Sequence, residues 1–121
     1  MGRVVHFEIP SDNPDRLKEF FTKTFDWSFQ QFGEDPYHFA LTGDRAGMGI
    51  DGAIMQRKDP RQPIVNTIGV DSIDNAITRI EANGGSIVVP KQKIGDMGYV
   101  AYFKDPDDNI HGVWETIPGG S

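Results

Sequence analysis

The stretch VVHFEIP, residues 4–10, places an imidazole and a carboxylate two residues apart on a segment of strand-like alternation. Side chains at i and i+2 of a strand share a face, so His6 and Glu8 point the same way. An imidazole titrates near neutral pH and can bind a metal, move a proton or accept a hydrogen bond. A neighbouring carboxylate can orient the ring or favour its charged form. Three roles are therefore open to His6: metal ligand, acid–base or ligand-contacting group, and structural histidine. Glu8 is its candidate catalytic partner, or a rim carboxylate in water.

Other chemistries find no support. There is no cysteine, which removes thiolate nucleophiles, thiolate metal sites and disulfides. GMGIDG is glycine-rich but lacks the Lys-Ser/Thr of a phosphate loop and opens no helix. No serine stands in a nucleophile elbow. KDPDDN has the composition of a calcium loop without its spacing or terminal Glu, and reads as a turn. The net charge of -6 and pI near 4.9 disfavour nucleic acid and anionic membrane as partners. No apolar run approaches the roughly 18 residues of a membrane span, and no leader is visible, so a cytoplasmic location is expected.

The elements that must position His6 and Glu8 come in two similar halves. A strand from about Arg3 to Ile9 leads into SDNPD, where Asp12 or Asn13 can cap a helix, Pro14 suits its first turn and Asp15 its positive end. Leu17, Phe20, Phe21 and Phe25 form one helical stripe. In the second half a strand from about Ile64 to Val70 leads into DSID, with Asp71 as the expected cap and Ile73, Ala76, Ile77 and Ile80 as the stripe. Asp12 and Asp71, Asp15 and Asp74, and His6 and Val65 are each 59 positions apart, which marks an internal repeat. Three strand-like segments follow each helix, giving two strand-helix-strand-strand-strand modules. At 121 residues one α+β domain, 1–117, is expected, with modules 3–57 and 64–116, a linker 58–63 and a flexible tail 118–121.

The doubled unit resembles the vicinal oxygen chelate superfamily, which includes glyoxalase I, bleomycin-resistance proteins, fosfomycin-modifying enzymes and extradiol dioxygenases. HFEIPSDNPDRLKEFF, VDSIDNAITRIEANGG and YFKDPDDNIHGVWE carry the likeness, in order and across nearly the whole chain. The closest resemblance is to its small single-chain, glyoxalase-like branch. The resemblance implies two βαβββ modules forming a curled mixed sheet, a cup with helices outside and a ligand inside. Val5, Phe7 and Ile9 then face the helix while His6 and Glu8 face the cup. On the fifth strand Val65, Thr67 and Gly69 face the cup, and Ile64, Asn66, Ile68 and Val70 the helix. On the last strand Gly112 and Trp114 face the cup, and Glu115 faces away with Val113.

Metal-dependent members of that superfamily place ligands on the first, fourth, fifth and eighth strands. Carried over, the first falls on His6. The fifth-strand ligand falls on Val65, and the eighth-strand glutamate, counted from Asp105, on Gly112; neither side chain can bind a metal. The fourth falls within GIDGAIMQ, where Asp51 and Gln56 are the polar options. One secure ligand is too few for a transition metal. A divalent metal is thus disfavoured and no cofactor is expected. The resemblance then implies a small-molecule-binding protein, with His6, Glu8, Val65, Thr67, Gly69, Gly112, Trp114 and Tyr102 as candidate ligand contacts around an open volume left by the small residues. The alternatives are a metal- or His/Glu-dependent lyase, isomerase or dioxygenase-type enzyme, and a non-catalytic interaction module whose cup is filled by its own side chains. A homodimer is also implied.

Overall fold

The structure, a computed structural model, describes residues 2–118; most of the expected tail lies outside the described residues. The element order is β1 (Arg3–Ser11), α1 (Pro14–Phe25), β2 (Ser28–Gln31), β3 (Tyr37–Leu41), β4 (Gly52–Gln56), β5 (Val65–Gly69), α2 (Ile73–Ala82), β6 (Ser86–Ile94), β7 (Gly98–Lys104) and β8 (Ile110–Thr116). This is an α+β chain built of two βαβββ modules. Two compact units are present among the described residues: His6–Ile64, and residues 65–118 together with residues 2–5. Among the described residues no helix is long and apolar enough to cross a membrane.

In the N-terminal unit the strand order is β2-β3-β4-β1. β1 runs parallel to β4 with Glu8 opposite Ala53, β4 is antiparallel to β3 with Phe39 opposite Ala53, and β3 is antiparallel to β2. Helix α1 starts because Asn13 accepts from the Arg16 amide at 3.2 Å, with Pro14 in the first turn. It stops at Asp26, whose φ of 63° is left-handed and whose N–H returns to the Thr22 carbonyl. The expected stripe packs along one edge only. Phe21 stacks on Trp27 at 4.4 Å, and Trp27 lies 5.8 Å from Phe7, whereas Phe20 and Phe25 stay 52% and 59% exposed. Gly52 is required at this layer, because a Cβ there would lie 2.5 Å from the Phe7 ring. Residues of the expected linker form a bonded turn: Arg57 Nη1 donates to the Gln62 carbonyl at 2.8 Å and the Lys58 amide to Gln62 Oε1 at 2.8 Å.

The C-terminal unit repeats the plan with the order β5-β8-β7-β6. Ile73, Ala101, Phe103 and Val113 are its buried core, with Ile68, Val70, Ala76, Ile77 and Ile80 packed around them. Helix α2 is capped by Ser72, not by the expected Asp71: Ser72 Oγ accepts from the Asn75 amide at 3.2 Å. The repeat explains why. Caps Asn13 and Ser72 are 59 positions apart, and the pair Glu8–Ala53 recurs 59 positions on as Thr67–Gly112. The third strands break this offset, since Phe39 opposite Ala53 and Tyr102 opposite Gly112 are 63 apart.

Candidate functional site

On β1 of the N-terminal unit Phe7 turns to the helix layer, so His6 and Glu8 lie on the opposite face. The register puts Tyr37 and Phe39 of β3 and Ala53 and Met55 of β4 on that same face. Tyr37 stands two strands from β1, opposite Met55, and to reach Glu8 its side chain must span β4, where the residue opposite Glu8 is the small Ala53. There the Tyr37 hydroxyl donates to Glu8 Oε2 at 2.8 Å and lies 2.9 Å from His6 Nε2. A phenol has one proton to give, and here it goes to the carboxylate. His6 Nε2 must therefore carry a proton and donate it to the Tyr37 oxygen. In the neutral ring this leaves Nδ1 with its lone pair.

Burial pushes the His6 pKa below its ordinary value of 6.5, against the pull of Glu8 and Asp51, which favour the charged ring. His38, on the helix side, is lowered too, by burial and by Lys18, whose ammonium is 3.4 Å from Nδ1. The ring is thus neutral at pH 7. The unfolded chain takes up these protons at a higher pH than the folded chain does. Between the two values the unfolded state binds more protons, so stability falls as pH drops below about 6.5 and is insensitive to these groups above it. Histidine NMR titrations are expected to place the His6 and His38 midpoints below 6.5; a midpoint at or above that value for His6 would contradict the burial.

Around the polar chain stands an aromatic frame. Phe32, Tyr37 and Phe39 pair edge-to-face, with centroid separations of 5.5–6.4 Å. Asp51, just before β4, shares the face and completes its charge. Its Oδ1 accepts from the Thr42 amide at 2.9 Å and from Thr42 Oγ1 at 3.3 Å, which ties the start of β4 to the end of β3. The next basic residue beyond β4, Arg57, is turned to Asp12 Oδ1 and to the carbonyls of Pro10 and Gln62. A solvent-open depression lined by Asp12, Arg57, Lys58, Asp59 and Pro60 lies at that loop. Arg57 and Asp12 pair within it and no aromatic ring lines it, so it is a loop cleft.

The remaining predicted contacts fall in the C-terminal unit. Thr67, Gly112 and Tyr102 do come together, but they leave no room at that point. A Cβ on Gly112 would lie 2.8 Å from Thr67 Oγ1 and 3.4 Å from Tyr102 Cε1. The open volume expected there is closed by these two side chains, and Thr67 is buried. Gly69 lies beneath Val5, 3.1 Å from a built Cβ. Val65 is buried. The Trp114 ring packs on the Gly98 backbone, and its Nε1 donates to Thr116 Oγ1 at 2.8 Å. Glu115 points to the helix side, as alternation requires, where Oε1 accepts from the Ile73 amide at 2.9 Å and caps α2.

The donor set does not fit the metal site of the resembled superfamily. Val65 and Gly112 offer no ligand atom. By the repeat register the partner of Gly112 on β4 is Ala53, which offers none either; Asp51 and Gln56 flank it. His6 Nε2 is engaged by Tyr37. Among the described residues no three His, Asp or Glu side chains are grouped to hold an ion. Tyr37 and Phe39 were not legible as partners of His6, and Asp51 was legible only as a polar option for the fourth-strand metal position. The available signal was a tyrosine at alternate spacing in YHFAL, but its register against β4 depends on the ten-residue loop 42–51.

Residues 3–111 match the model of the Glyoxalase/Bleomycin resistance protein/Dioxygenase superfamily. The chain is 26% identical over 114 residues to proteins named "Putative glyoxylase CFP32" in Mycobacterium bovis and Mycobacterium tuberculosis; the match takes in 90% of this chain and 44% of each relative. It therefore spans less than half the length of the curated relatives it matches. Among solved structures it resembles methylmalonyl-CoA epimerase from Mycobacterium tuberculosis (TM-score 0.69, 13% identity, 96% of this chain and 89% of that one). It also resembles the hypothetical protein BH1468 from Bacillus halodurans (TM-score 0.68, 13% identity, 95% and 94%). At such identity these likenesses concern the fold.

Proposed function

Because this chain belongs to the glyoxalase/bleomycin resistance protein/dioxygenase superfamily, we propose that it binds a small molecule on the helix-free face of its N-terminal unit, without a metal, with His6 Nδ1 meeting the ligand. The observation that carries this reading is the His6–Tyr37–Glu8 chain set among Phe32 and Phe39. Apolar rings with a few oriented polar groups are the ordinary make-up of a small-molecule site. The hydrogen bond at Nε2 fixes the ring and leaves Nδ1 as an acceptor whose lone pair is already oriented.

A second reading is proton transfer, and the same chain favours it. A ligand proton taken by Nδ1 releases the one on Nε2 to the Tyr37 oxygen, whose own proton passes to Glu8. Binding is the stronger reading for a stated reason. Burial weakens His6 as a base, and the strand residues of this face include no lysine or arginine to stabilise an enolate. Assembly as a homodimer belongs to the proposal as well, on the resemblance alone.

The test is a fragment screen read by amide chemical shifts. Ligands are expected to move Tyr37 and Phe39, and to bind equally well with and without a chelator. His6→Ala should weaken them by about tenfold, the worth of one good hydrogen bond. Unaltered affinity in His6→Ala, or dependence on an added divalent ion, would refute the reading.

A further inference from the structure

We infer that the ligand of this face is a planar aromatic molecule presenting an N–H donor or a positive charge, and that anionic ligands are rejected. This rests on the binding reading above and deepens it.

The face offers acceptors. With Nε2–H committed to Tyr37, the neutral His6 ring presents only the lone pair of Nδ1. Asp51 spends Oδ1 on Thr42, and its other oxygen has no bond among the described residues. Donating from Nδ1 to an anion would require a second proton on His6, which burial opposes.

The sign of the charge agrees. Asp51 and Glu8 both act electrostatically on His6, and each favours a positive partner there. Lys18, the basic group nearest β3 in the bonding pattern, serves His38 on the opposite side of the sheet. A carboxylate or phosphate brought to His6 would meet two like charges, and the strand residues of this face carry no guanidinium or ammonium to answer it.

The shape also agrees. Phe32, Tyr37 and Phe39 are mutually edge-to-face, so a flat ligand can place its face or its edge against one of them without disturbing the others. A cationic ligand gains further from the ring faces.

The experiment compares 2-(aminomethyl)naphthalene with 2-naphthoate, using amide chemical-shift titrations of the whole chain at pH 7.5. The two probes share a ring system and differ in charge. The amine is expected to bind about tenfold more tightly than the carboxylate, as expected for one charge-assisted contact. Asp51→Asn keeps the acceptor for Thr42 and removes the charge; it should cut that ratio to about threefold or less. Equal or tighter binding of the carboxylate to the unmodified chain overturns the inference without any variant. A ratio unchanged in Asp51→Asn overturns it too. If neither probe moves Tyr37 or Phe39, the binding reading itself falls, and this inference with it.

Discussion

Tyr37→Phe is expected to lose about 2–3 kcal/mol of stability and to release the proton arrangement of His6, although it removes a single oxygen. That oxygen takes a hydrogen bond from His6 Nε2 at 2.9 Å and gives one to Glu8 Oε2 at 2.8 Å. Glu8 is buried, and a hydrogen bond to a buried charged group is worth about 1.5–3 kcal/mol, more than one between neutral groups. The ring itself is unaffected, since phenylalanine keeps the edge contacts to Phe32 and Phe39. Denaturant unfolding measures the first effect. The second is read from the imidazole nitrogens: in the unmodified chain Nε2 should have the shift of a protonated nitrogen and Nδ1 that of an unprotonated one, and in Tyr37→Phe the two forms should mix. A proton on Nδ1 in the unmodified chain would show that the chain of bonds runs the other way. Stability unchanged within 0.5 kcal/mol, about the scatter of a surface substitution, would show that Tyr37 does not bridge the pair.

Gly52→Ala is expected to cost about 1–3 kcal/mol, the usual range for overpacking, and to damage the site from the opposite side of the sheet. The added methyl would meet Cγ, Cδ1 and Cε1 of Phe7 at 2.5 Å. Phe7 cannot easily retreat, because Trp27 lies 5.8 Å away and is itself stacked on Phe21 at 4.4 Å. The strain is relieved only if β4 moves against β1. That movement carries Asp51 and Ala53, the residues either side of Gly52, away from His6 and Glu8. Melting temperature should drop by several degrees, and the probe affinities at Tyr37 and Phe39 should fall together with it. A variant as stable as the parent would mean that Phe7 has somewhere else to go.

These two substitutions show where the sequence was legible and where it was not. The alternation of VVHFEIP placed His6 and Glu8 on one face, and helix periodicity placed Phe21 and Ile73 against their sheets, because both depend on residues a few positions apart. The offset of 59 survived in caps, first strands and last strands, and it carried the reading of Val65; counting from Asp105 gave Gly112, and strand alternation gave Glu115. Tyr37 escaped because antiparallel register is decided by how a loop closes. A slip of two residues along β4 would have brought Phe39 or Asp35 to the place of Tyr37. The cap of α2 was missed by one residue, since Asp71 and Ser72 are both good caps and only the backbone geometry distinguishes them. The roominess expected at Gly112 failed for a different reason. A missing side chain makes a cavity only when its neighbours cannot lean in, and Thr67 and Tyr102 do lean in.

In each unit the first strand lies parallel to the last: Glu8 pairs with Ala53 and Thr67 with Gly112, both 45 residues apart along the chain. Neither unit can therefore close its sheet locally. The entropy of a long loop is lost before the pairing that offsets it forms, which places this topology among the slower folders of its size. In the C-terminal unit the first amide of α2 waits for Glu115, 42 residues downstream. During synthesis that helix must stay incompletely capped until β8 has emerged from the ribosome, so the last strand acts as the timing element of the unit.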